Sequence, residues 1–99
     1  MSFVTAQPEN ITAAAGSLAG IGEWMSNGLA AAAGPTTSVT PPAADPVSLT
    51  SAGEFSAHGA LFQEVSAQAA AVHQQIVATL GGNSNAYAAA EAANAASAH

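Results

Sequence analysis

Apolar side chains recur along this chain at steps of three and four, and they do so in two separate stretches. In the first, Ile11, Ala14, Leu18, Ile21, Met25 and Leu29 fall on one stripe of a helix. In the second, Phe55, Phe62, Val65, Ala69, Val72 and Ile76 follow a seven-residue repeat, with Ala52 before it and Leu80 after it. Between Phe55 and Phe62 the apolar slot falls on His58 or Gly59. A repeat of about 3.5 residues sustained over several turns is the pattern of a coiled-coil-like seam.

Local signals bound these stretches. Pro8 suits a first helical turn, where its missing N–H costs nothing, and Glu9 beside it favours the positive end of the helix dipole. Gly34-Pro35 reads as a stop, so the first helix is expected over about 8–33. Asn27-Gly28 lies inside it. Both are poor helix formers, Gly by about 1 kcal/mol against Ala, so the helix is expected to run through them, with a kink there as the alternative. Gly34 to Ala44, carrying Pro41-Pro42, reads as an extended connector. Asp45-Pro46 is a helix start, since Asp45 can cap and Pro46 fits the first helical position. The second helix is expected over about 46–80, closed by Gly81-Gly82-Asn83. Asn85 to Ala98 is Ala-rich and helix-prone, but also polar and terminal, and so prone to disorder on its own.

The fold predicted is all-α. An antiparallel two-helix hairpin occupies 1–82, with connector 34–45, and a tail occupies 83–99. Pairing covers one face of each helix and leaves Trp24, Leu61, Val77 and Leu80 over, so the hairpin is expected to complete a helical bundle with a partner chain. The residues expected at that interface are Ile11, Leu18, Ile21, Met25, Phe55, Phe62, Val65, Val72, Ile76 and Leu80. Trp24 reads either as a core-edge packing residue or as an interface anchor.

Composition strengthens the need for a partner. Nearly half of the 99 residues are apolar, but much of that is Ala and only 5% are aromatic. A chain this small leaves much of its surface exposed, and it has no Cys to staple it. It also has no Lys and no Arg against six acids (Glu9, Glu23, Asp45, Glu54, Glu64 and Glu91), for a net charge of −6. Nucleic-acid binding, which rests on cations neutralising phosphates, is thereby all but excluded. So is docking on anionic lipid through a basic patch. No signal peptide and no transmembrane segment is expected.

The candidates for chemistry are few. His58 and His73 are about four turns apart, more than about 20 Å along a helix, and cannot share a metal ion. They read as seam or surface histidines, as does His99, with a pH-sensitive partner contact as the alternative. Glu54 and His58 are spaced to pair across one turn, but a catalytic dyad also needs a nucleophile and a pocket. No nucleophile elbow or phosphate-binding glycine loop is present, so no catalytic residue, cofactor, metal or small-molecule substrate is expected. Asn10-Ile11-Thr12 matches a glycosylation sequon by chance. Tyr87 and Glu91 are the tail's only aromatic and only acid, and they lie on one side of a helical turn.

The start Met1-Ser2-Phe3-Val4 with Pro8-Glu9, the Ala-rich first helix, the connector Gly34-Pro35-Thr36-Thr37 and Pro41-Pro42-Ala43-Ala44-Asp45, and Tyr87-x-x-x-Glu91 together resemble the mycobacterial PE family. The family is named for the Pro-Glu pair, which is weak alone; the ordered set is specific, and it covers essentially the whole chain. Departures are Trp24-Met25-Ser26, which is not the partner family's Trp-x-Gly turn, Pro46 in place of the usual acid, and the helix-poor Asn27-Gly28. The resemblance implies a non-enzymatic protein that pairs one to one with a helical PPE protein and is exported by a type VII (ESX) system. An EspG-type chaperone would bind the PPE subunit. Tyr87 and Glu91 would belong to the export signal, and the chain would be secreted or held at the cell surface after a cytoplasmic stage. Two other functions fit less well: an outer-membrane-associated transport component for small solutes, and a homo-oligomeric helical adaptor. The chain is expected to be a short family member or the isolated domain of a longer one.

Overall fold

The computed structural model describes residues 5–98; the segment Met1-Ser2-Phe3-Val4 and His99 lie outside them. Two helices, α1 (Pro8–Thr37) and α2 (Pro46–Ser97), pack against each other as a hairpin, and no strand occurs among the described residues.

Both helices are longer than the breaker residues suggest. α1 runs past Gly34-Pro35 to Thr37, which corrects the expected end at 33. A proline deletes one helical hydrogen bond and crowds the carbonyl four residues back, but here only the last turn follows it. That turn is closed by side chains. Thr36 and Thr37 each donate a hydroxyl to the carbonyl four residues earlier, Ala32 and Ala33, at 2.6 Å, and the Ser38 N–H reaches Gly34 O at 3.1 Å. The orphan carbonyls of a helix end are thus partly satisfied.

α2 likewise runs through Gly81-Gly82 to Ser97, so the expected cap at 81–83 and the separate tail beyond it are both corrected. A glycine cap needs the left-handed conformation, and no described glycine adopts a positive φ. Tertiary contact overrides the two poor helix formers, since Ser84, two residues on, is buried against the first turn of α1. The start of α2 is as the sequence reads. Asp45 accepts the Ser48 N–H at 2.9 Å and the Ser48 hydroxyl at 2.7 Å. These bonds hold its carboxyl below the ordinary value of 3.8.

The hairpin divides into two compact units, one made of the residues up to Gly22 with those from His73 onward, the other of Glu23–Val72. In the first, Ala15 is buried, and Ile11, Leu18 and Gly22 are half-buried. Opposite them stand half-buried His73, Val77, Leu80 and Gly81 and buried Ser84. In the second, half-buried Leu29, Ala32, Ala33 and Thr37 share the interior with Ala52, Ser56, Gly59, Gln63, Ser66 and Ala70. Within each unit the chain directions oppose, since Ser84 meets Pro8 where His73 meets Leu18, and Gln63 meets Leu29 where Gly59 meets Thr36.

The two helices of the second unit meet on a different stripe from the large apolar one. In the second unit the large residues of α2 do not face α1. The interior is the neighbouring stripe, Ala52-Ser56-Gly59-Gln63-Ser66-Ala70, which steps by three and four just as the apolar stripe does, one residue along. Small side chains let the backbones come close. At Gly59 even a methyl group would overlap the Thr36 carbonyl.

Candidate functional site

With small residues inside, the large apolar residues are left on the surface. In the second unit Phe55, Phe62, Val65 and Val72 on α2 are all more than half exposed, Phe55 at 67%. Met25 on α1 is 52% exposed and Trp24 is 78% exposed, so Trp24 packs at no core edge. Val47, Leu49 and Leu61 are exposed as well. In the first unit Ile21, Ile76 and Tyr87 are exposed, whereas Ile11, Leu18 and Leu80 are half-buried in the hairpin interior. Val77, expected as a leftover outside the pairing, is half-buried with them. Scattered exposed apolar residues are ordinary on any protein, but a continuous run of Phe and Val along a helix face is not.

Among the described residues the buried apolar side chains are those of Ala15 and Ala52, at 7% and 6% exposure. Burying a large aliphatic or aromatic side chain stabilises by about 1.5–3 kcal/mol, and little of that is collected inside the hairpin.

What the interior does have is a series of hydrogen bonds from α2 side chains to α1. In the second unit Gln63 Nε2 donates to Leu29 O at 3.1 Å, and the connector's Val39 N–H donates to Ser56 Oγ at 2.9 Å. In the first unit His73 Nε2 lies 2.6 Å from Leu18 O. A carbonyl only accepts, so this bond requires the proton on Nε2. Ser84 Oγ donates to Pro8 O at 2.7 Å, which leaves Thr12 as the donor in the 2.6 Å contact between the Thr12 and Ser84 hydroxyls. No buried side-chain polar atom among the described residues lacks a partner. These positions carry no hydrophobic signal because they are small or polar; their mark in the sequence is a second three-and-four stepping beside the apolar one.

The remaining candidates are solvent-facing. Pro8 is half-buried at the start of α1, and Glu9 is exposed beside it. Tyr87 and Glu91 are exposed one turn apart on α2. His58 is exposed, as are all six acids, none of which has a Lys or Arg in the chain to neutralise it. Among the described residues no group of three His, Cys, Asp or Glu is placed to hold a metal ion, and no helix is long and apolar enough to cross a membrane. The arrangement suits a surface to be covered.

The PE family's sequence profile matches residues 4–94. Among similar proteins of Mycobacterium tuberculosis (strain ATCC 25618 / H37Rv), PE family protein PE13 is 56% identical over 98 residues, 99% of this chain and 99% of its own length. PE-PGRS family protein PE_PGRS8 is 53% identical over 98% of this chain, which spans 55% of that protein. Ubiquitin-binding protein Rv1468c is 51% identical over 95% of this chain, which spans 25% of that protein.

Proposed function

The chain belongs to the mycobacterial PE family, and from that premise we propose that it is a non-enzymatic subunit that pairs one to one with a helical PPE protein and is exported by a type VII secretion system. The observation that carries the pairing is the inverted distribution of side chains. The hairpin keeps Ala, Ser, Gly and Gln inside and turns Phe55, Phe62, Val65 and Val72 out. Such a face is stable in water when a second apolar surface covers it, and obligate helical interfaces resemble a core cut in half.

In this reading Phe55, Phe62, Val65, Val72 and Met25 of the second unit, and Ile21 and Ile76 of the first, meet the PPE helices. Ile11, Leu18 and Leu80 back the interface from the hairpin interior. The export signal includes Tyr87 and Glu91, which are exposed and free to be read. An EspG-type chaperone would hold the PPE subunit before export.

Two experiments test the proposal. Co-expression with candidate PPE proteins is expected to give a 1:1 complex by mass with the cognate one, and a Phe55→Glu, Phe62→Glu variant is expected to lose it. A cooperatively folding monomer of the chain alone overturns the pairing. Tyr87→Ala is expected to keep the complex and abolish its appearance outside the cell; normal export of that variant overturns the signal role.

A further inference from the structure

Residues of α2 in the first unit that face α1 step by three and four: His73, Val77, Leu80 and Ser84. α1 begins at Pro8, whose carbonyl receives the Ser84 hydroxyl. α2 continues to Ser97, so Asn85–Ser97 extends past that contact, roughly 20 Å of helix at about 1.5 Å per residue. All of it is exposed. Continuing the same stepping beyond Ser84 lands on Tyr87, Glu91 and Asn94. Apart from Asn85 and Ser97 at its two ends, every other residue of the extension is Ala. The side chains able to make a specific contact thus lie on one stripe, in phase with the face that α1 covers one turn earlier.

We propose that this stripe is a docking surface for a helix of another protein, seated where α1 would lie if it began earlier, with an apolar surface against the Tyr87 ring and a basic side chain opposite Glu91. The inference rests on the export reading of Tyr87 and Glu91 and deepens it: the signal is a helical facet with a fixed phase, not a pair of residues on a loose tail. Two observations argue for this occupant. The stripe is continuous with the α1–α2 interface, so a helix packed there inherits a groove of the same geometry. The chain also contains no Lys and no Arg, so a basic partner for Glu91 must come from another molecule. The tyrosine can supply both ring area and a hydroxyl to such a contact.

Helical phase is tested by insertion. One or two alanines placed between Asn85 and Ala86 move the motif only about 1.5–3 Å along the axis but turn it by about 100° or 200°. Seven alanines move it about 10 Å and return it to within about 20° of its phase. In a mycobacterial host expressing the cognate PPE protein, the one- and two-residue insertions are expected to lower the chain in the culture filtrate at least tenfold. The seven-residue insertion is expected to export at least threefold better than either, and all three to keep the complex and its helical content. Glu91→Asp is expected to export and Glu91→Lys to fail. Export of the short insertions within twofold of the parent overturns the proposal, and so does a loss that simply grows with insert length. Tyr87→Ala in the same strain separates the two ideas. Its normal export removes the signal reading and this inference with it, whereas its loss beside normal export of the short insertions removes the inference alone.

Discussion

Gly59 is the position where a single methyl group is expected to do the most damage. It lies in the second unit, buried, with its α-carbon turned to the last turn of α1. A Cβ built there would overlap the Thr36 carbonyl oxygen and come within 2.6 Å of its carbon, far inside the 3.4 Å at which ordinary contact begins. The obstacle is backbone, and it is held in place by the Thr36 and Thr37 hydroxyl bonds to Ala32 and Ala33. The chains would have to part locally by roughly 1 Å, and overpacking of this kind costs about 1–3 kcal/mol. Against that, Gly→Ala in a helix gains about 1 kcal/mol of propensity. Gly53 is the matched control on the same helix, because a Cβ there meets nothing within 4 Å. Propensity cancels between the two variants, so Gly59→Ala is expected to be about 3 kcal/mol less stable than Gly53→Ala, the upper end because backbone cannot swing aside. For a domain of this size that is roughly 12 °C or more in melting temperature. The assay is thermal unfolding followed by circular dichroism, on each variant co-purified with the PPE protein proposed above. Equal melting temperatures, or a more stable Gly59→Ala, would refute the close approach of the two backbones.

The other predictions concern the polar contacts. Ser84→Ala removes the bond to Pro8 and leaves the Thr12 hydroxyl without its acceptor, at an expected cost of about 1–2 kcal/mol. Adding Thr12→Val should cost little more, because the two side chains share one contact; additive losses in denaturant melts would contradict the pairing. Gly22→Ala places a methyl 2.8 Å from the His73 ring. The ring can turn away, so the loss is expected to be the His73–Leu18 bond alone, about 1 kcal/mol, read by NMR as disappearance of a protected imidazole N–H. Asp45 has a pH signature. Its folded carboxyl lies below the unfolded 3.8, so its cap contributes fully above that value and is lost as the pH falls through the folded one. The advantage of the parent over Asp45→Asn should therefore shrink on acidification below about pH 4, and a gap that stays constant down to pH 2 would remove the cap from the account.

Much of the architecture was legible in the chain. Two helices follow from the stepping of Ile11, Leu18, Phe55, Phe62 and Val72, and the start of each follows from a proline at the first helical position, with Asp45 capping the second. The same residues carry the expectation of a partner surface, because much of the remaining apolar content of the chain is Ala. The far ends of the two helices depart from the local signals. Gly34-Pro35 and Gly81-Gly82 carry real local penalties; the Thr36 and Thr37 hydroxyls close the turn after the first through carbonyls of the same helix, and the distant contact of Ser84 with Pro8 outweighs the second. Local signals cannot report such contacts, since Ser84 is 76 positions away from Pro8.

The choice of face was decided by tertiary structure alone. Two stripes, one residue apart, share the same three-and-four spacing along α2, and the spacing by itself does not say which of them meets α1. The hairpin closes on the one that lacks Phe55 and Phe62, because Gly59, Ser56 and Ala52 let the backbones approach while Gln63, His73 and Ser84 bond across to α1. The order of residues alone makes this protein helical and acidic, with two apolar stripes to be placed. Which face closes inside the hairpin and which stays exposed depends on how closely the two backbones pack, and that distance is set by side chains too small to register in a hydrophobic pattern.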